Sequence, residues 1–223
     1  MNPTSKKLIY ELAIVTIAVL VLARLLLLLN NISWAYNYVP ALVAIVLLYG
    51  PILVLWKRGR PIDFIERDKN AVRRSVLAFI IAALIVFPVF FVVAHFWQIL
   101  VFKKNFLGWA TFSNIWQLVL YQLIIVALPE EFFFRGYFES TIDRVFLERR
   151  KFLGVELGWG WLITAVVFAF AHSVITYQWW HFSIFFPALL FGYLRLRTGN
   201  ILAPILFHAT SNIFMNWFSR MYV

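Results

Sequence analysis

Apolar residues run along this chain in uncharged blocks, and lysine and arginine gather in the gaps between them. Seven blocks stand out, at about 8–29, 37–56, 75–101, 115–138, 159–176, 182–197 and 200–219. Most approach the ~20 predominantly apolar residues that a helix needs to cross the hydrocarbon core, and none shows the short alternating pattern of a membrane strand. The pattern predicts an all-α, polytopic membrane helical bundle of about seven transmembrane helices. Pro88 inside the third block predicts a tilt or a kink there. The uncharged stretch 157–194 is too long for one helix. It divides at 177–181 (Tyr-Gln-Trp-Trp-His), a composition suited to an interfacial aromatic belt. The sixth block is short and ends at Arg195 and Arg197.

The segment 139–156 breaks this pattern. Ile142, Val145, Phe146, Phe152 and Leu153 fall on one face at helical spacing, with Asp143, Arg144, Glu148, Arg149 and Arg150 elsewhere. An amphipathic helix lying at the membrane surface is expected there. The basic stretch 57–74 reads as a loop facing lipid headgroups. Placing the N-terminus in the cytoplasm puts fifteen of the twenty Lys and Arg on that side, against Lys103, Lys104 and Arg220 opposite. An N-in, C-out arrangement follows. The first block follows Lys6 and Lys7, but it is long and no small-residue cleavage site comes after it, so a retained helix is expected rather than a signal peptide. There is no internal repeat and no linker, which makes 1–223 a single membrane-embedded domain.

Composition narrows the function classes. Of 223 residues, 63% are hydrophobic and 13% charged, whereas a soluble domain has about 25% charged residues. The net charge of +10 would suggest nucleic acid in a soluble protein. Here the cations sit at the ends of apolar blocks, so their partners are membrane lipids and not nucleic acid. Cysteine is absent, which excludes disulfides, thiolate catalysis and cysteine-ligated metal centres.

Against this background, the acidic pair in LIIVALPEEFFFRGYF is out of place. Glu130 and Glu131 stand in a stretch with no other charge from Lys104 to Arg135. An acidic side chain at the centre of a membrane helix costs roughly 2.5–3.5 kcal/mol to insert, and intramembrane ionisable groups mark function by default. Glu131 and Arg135 are four apart and share a helix face, while Glu130 points about 100° away. One carboxylate can be held by Arg135 while the other faces a cavity. Two further positions add to the set. His172 lies in VVFAFAHSV, and His208 and Asn212 are four apart on one face. Taken alone, His172 reads as a hydrogen-bonded core histidine, Glu131–Arg135 as an interhelical clamp, and His208–Asn212 as helix-to-helix glue. Together they supply a carboxylate base, an imidazole and carbonyl-polarising donors, the parts that amide hydrolysis needs. A zinc site built from Glu130, His172 and His208 is the competing chemistry, although HExxH is absent and Asn212 is a poor zinc ligand. His95 and His181 read as interfacial. Arg24 reads as snorkelling or pairing with Glu11 or a neighbouring helix.

These motifs resemble those of the CPBP family, the type II CAAX prenyl endopeptidases and their bacterial relatives. EExxxR is Glu130-Glu131-Phe-Phe-Phe-Arg135, followed by Gly136. FxxxH is Phe168-Ala-Phe-Ala-His172, and HxxxN is His208-Ala-Thr-Ser-Asn212. The resemblance covers roughly 120–215. It implies a metal-free, cofactor-free glutamic intramembrane protease in which Glu130 activates water and His172 positions that water and shuttles its proton. His208 and Asn212 would form the oxyanion hole, with Glu131 and Arg135 orienting Glu130. The implied substrate is a membrane-associated peptide or lipidated protein. One form is a prenylated CAAX tail losing its last three residues, with Phe132–Phe134 and Phe185–Phe186 as candidates for an isoprenoid groove. Another is a bacterial or archaeal C-terminal sorting signal, a bacteriocin leader or a regulatory peptide. A non-enzymatic transporter, immunity or scaffold protein is the alternative from another class.

Overall fold

The computed structural model describes residues 3–112, 114–176 and 179–223. Among them are seven helices, once the wider turns of the fourth are counted with it. They are α1 (Pro3–Leu28), α2 (Val39–Lys57), α3 (Lys69–Leu100), α4 (Ile115–Val145), α5 (Trp159–Thr176), α6 (Phe185–Thr198) and α7 (Leu202–Ser219). Each grows from one of the seven apolar blocks, and the architecture is the expected all-α bundle. Helices α1 to α4 are long and apolar enough to cross a membrane, and the apolar part of α5 is shorter. The protein is an integral membrane protein. At 1.5 Å per residue, α6 spans about 21 Å, less than the ~30 Å hydrocarbon core, so it does not cross on its own length. Trp179–Ile184 forms a 3-10 turn ahead of it. Of the aromatic belt expected at 177–181, Tyr177 and Gln178 lie outside the described residues.

Helix α4 is the axis of the molecule. Every residue from Glu131 to Ile142 is buried, and α1, α2, α5, α6 and α7 all pack on it. Helix α3 is its opposite. It runs unbroken through Pro88 and buries only Ala71 and Ser75, touching α6 and α7. Its start is well defined, because the Asp68 carboxylate accepts from the backbone N–H groups of Asn70 and Ala71 at 3.0 and 3.3 Å, satisfying donors that a helix start leaves free. At the end of α6, Gly199 adopts φ 71° and its N–H donates to the Arg195 carbonyl at 2.8 Å, the left-handed stop that glycine tolerates best. Gly136 serves a different need: a Cβ there would come within 2.4 Å of the Phe64 ring. Phe64 packs edge-on to Phe132 with ring centres 5.1 Å apart, and its carbonyl accepts from Ile201 N–H. The missing side chain thus lets the basic loop dock onto α4 and the start of α7.

The amphipathic helix expected at 139–156 is not formed. Helix α4 continues to Val145, and a hairpin of β1 (Arg149–Phe152) and β2 (Val155–Gly158) follows. The five apolar residues fall in the end of α4 (Ile142, Val145), just after it (Phe146), in β1 (Phe152) and in the hairpin turn (Leu153). The decisive local features are Leu153 and Gly154, both at positive φ (46° and 79°), the signature of the two-residue turn that matches strand twist. Two of the charged residues off that apolar face act as joints. Arg149 folds back onto the end of α4, donating to the Asp143 carboxylate and to the Asp143 and Phe146 carbonyls. Asp143 in turn accepts from Gly160 N–H at 3.2 Å at the start of α5.

Of the partners expected for Arg24, the structure gives the neighbouring helix: Arg24 donates to the Ile175 carbonyl near the end of α5, while Glu11 pairs with Arg58 and Arg60. One other expectation changes. Phe132, Phe133 and Phe134 are buried to 4% exposure or less, so they are core and cannot line an open isoprenoid groove.

Candidate active site

Glu130 is the midpoint of α4, Ile115–Val145. Around it the helix alternates its winding. Tyr121–Ala127 and Phe132–Glu139 are π-wound, and Leu128–Glu131 is an ordinary α turn between them. π-turns widen the helix and occur often at functional sites. Pro129 sits inside the α turn and has no N–H to give to the helix ladder.

The two glutamates have separate surroundings. Glu131 is fully buried and accepts from Arg135 Nη1 at 3.1 Å and from His208 Nδ1 at 2.8 Å. Arg135 is also fully buried. Its Nη2 donates to the Ala188 carbonyl of α6 at 3.2 Å. The guanidinium lies 4.3 Å from the Phe168 ring centre and 5.1 Å from that of Phe191, a cation held between aromatic faces. Glu130 keeps 19% of its side chain accessible and His172 26%, against 6% for His208. Glu130 and His172 therefore form the open side of the site, backed by Glu131, Arg135 and His208.

The hydrogen bonds settle which ring nitrogens carry protons. His172 Nδ1 lies 2.9 Å from the Phe168 carbonyl, and His208 Nδ1 meets the Glu131 carboxylate. Both partners accept only, so both Nδ1 atoms are donors. Both Nε2 atoms then turn toward Glu130 Oε2, at 3.5 Å from His172 and 3.8 Å from His208. Two imidazole lone pairs and a carboxylate oxygen repel one another unless a proton lies among them. The trio is built to share an exchangeable proton, at separations longer than a direct hydrogen bond.

The spacing of each motif now has a physical reason. Four residues in EExxxR join Glu131 to Arg135 on one face. In FxxxH, Phe168 supplies the carbonyl that orients His172 and the ring that covers Arg135. In HxxxN, His208 and Asn212 sit one turn apart on α7. The structure brings Glu130, Glu131, Arg135, His172 and His208 into one cluster, and Asn212 stands beside it, its Nδ2 donating to Gln122 Oε1 at 2.9 Å. Sequence reasoning missed Gln122 and Phe191. Gln122 was visible as an amide inside an apolar span. Phe191 stacks on His208 at 4.9 Å and looked like any other phenylalanine. Among the described residues, no group of three or more His, Asp or Glu side chains is arranged to hold a metal ion.

Residues 111–214 match the family described as Rce1-like, type II CAAX prenyl endopeptidase Rce1-like. All three motifs lie inside the match. Over this segment, just under half of the chain, the protein resembles the Rce1-like family. The resemblance points to a membrane endopeptidase of the CAAX type, which suits a carboxylate–imidazole site at the middle of a membrane helix. No curated protein and no solved structure gives a significant match to the chain.

Proposed function

We propose that this Rce1-like protein is a glutamic intramembrane endopeptidase that cuts a membrane-associated, prenylated CAAX-type tail near its C-terminus. The N-terminus faces the cytoplasm, as the excess of Lys and Arg in the loops on that side favours. The observation that carries the reading is the pair of Nε2 atoms turned onto the accessible glutamate, while the second glutamate is occupied by Arg135 and His208.

In this mechanism Glu130 takes a proton from water, and the hydroxide attacks the scissile carbonyl carbon. His172, held by the Phe168 carbonyl, orients the water and relays the proton to the departing amine. The carbonyl oxygen becomes an oxyanion facing Asn212 Nδ2–H and the protonated Nε2 of His208. The C–N bond then breaks, the amine leaves with the relayed proton, and the new carboxyl group carries the water oxygen. Glu131 fixes His208 through Nδ1, and Arg135 fixes Glu131.

Asn212→Ala removes one donor that acts mainly in the transition state. Turnover is expected to fall by about 10²–10³ with KM little changed. Steady-state kinetics check this, and equal losses in binding and rate would point to misfolding instead. The reading also separates from zinc chemistry. Hydrolysis should persist undiminished after dialysis against EDTA; inactivation reversed by added zinc would contradict it.

A further inference from the structure

Beyond Asn212, on the side away from His208, lies a second cleft. Helix α7 runs on to Ser219 and Arg220, while α4 leads back from Gln122 toward its start. Between them lies a cavity of about 420 Å³ lined by Phe112, Asn114, Gln117, Leu118, Tyr121 and Arg220. Its polar groups are two amides, a phenol and one guanidinium. No aspartate or glutamate occurs between Asp68 and Glu130, or after Glu156, so neither wall carries an acid to neutralise Arg220. The residues after it turn aside to pair with another loop, Leu107 N–H donating to the Met221 carbonyl and Asn105 N–H to that of Val223.

The spacing of this cleft from the oxyanion donors is informative. Gln122 and Asn212 are hydrogen-bonded to each other. Asn114 and Arg220, which flank the two helices, each lie eight residues further in the same direction, about 12 Å at 1.5 Å per residue. An extended peptide of three residues spans about 10 Å. A substrate whose scissile carbonyl faces Asn212 therefore brings the end of a three-residue tail to Arg220.

We infer that this cleft binds the C-terminal carboxylate of the substrate, with Arg220 supplying the charge and Asn114, Gln117 and Tyr121 the hydrogen bonds, and that it sets the cut three residues before the chain end. The inference rests on the proteolytic reading above and extends it to how the cut is placed. The other anion that reaches such a position is a lipid phosphate, and the experiment separates the two.

The test uses full-length protein in detergent with three prenylated peptides: one ending in a free acid, the same peptide as a C-terminal amide, and the acid extended by two residues. Wild type should show a KM about tenfold lower for the first peptide than for the other two, in the range of a charge-assisted hydrogen bond, with similar kcat. Arg220→Gln should erase the difference between acid and amide by weakening only the acid, and Arg220→Lys should restore part of it. Equal KM values for acid and amide with wild type would overturn the inference, as would an acid preference that survives Arg220→Gln. A uniform loss on all three peptides would also overturn it and assign the cleft to lipid. Product formation by a Glu130→Gln control would instead overturn the proteolytic mechanism, and no cleavage by wild type would overturn both.

Discussion

Glu130→Gln should lose about 10⁴ in turnover, the upper end of what a positioned general base contributes, while melting like the wild type. The amide keeps the volume and a carbonyl oxygen near the two Nε2 atoms, but it cannot accept the proton of water. Folding is spared because Glu130 is not part of the buried clamp. It is partly accessible, and its nearest charged partners are the imidazoles at 3.5 and 3.8 Å. Comparing initial rates with thermal unfolding on the same preparation checks both halves of this expectation. Full activity in the variant would remove Glu130 from the chemistry.

Arg135→Met should do the reverse and damage the fold first. Arg135 is fully buried and serves three partners on three helices: Glu131 on its own α4, the Ala188 carbonyl on α6, and the ring of Phe168 on α5. Methionine has similar volume but leaves the buried Glu131 carboxylate facing His208 alone. Breaking one side of a buried ion pair costs about 3–5 kcal/mol, a loss of order 10 °C in melting temperature for a chain of this size. Lysine should not rescue it, since an ammonium cannot reproduce two directed N–H bonds beside two aromatic rings. A variant that melts within a degree or two of wild type would show that the clamp contributes little. Two residues five apart on one helix thus separate function from stability.

How far the sequence foretold this arrangement depends on the range of the interaction. The seven helices were legible because apolar blocks and basic gaps are strong local signals. The Glu131–Arg135 contact was legible because it spans one turn. The hairpin at 149–158 was not, since five apolar residues could be fitted to a helical period while Leu153-Gly154 specified a turn. The contact between Glu131 and His208 joins residues 77 apart, and no spacing rule reaches that far. The same holds for Gln122 with Asn212. The π turns of α4 also left no mark in the pattern, yet they occupy the turns on either side of the glutamates. Phe132–Phe134 show the converse failure: an aromatic run that looked like a lipid groove is core, because this half of α4 is surrounded on all sides.

The central claim is most directly tested by following peptide products with mass spectrometry. Wild type and Glu130→Gln would be incubated in detergent with a prenylated CAAX peptide and its unprenylated twin. The account predicts loss of a C-terminal tripeptide from the prenylated peptide only, and with wild type only. Cleavage by both proteins, or wild-type inertness toward the prenylated peptide, would contradict it.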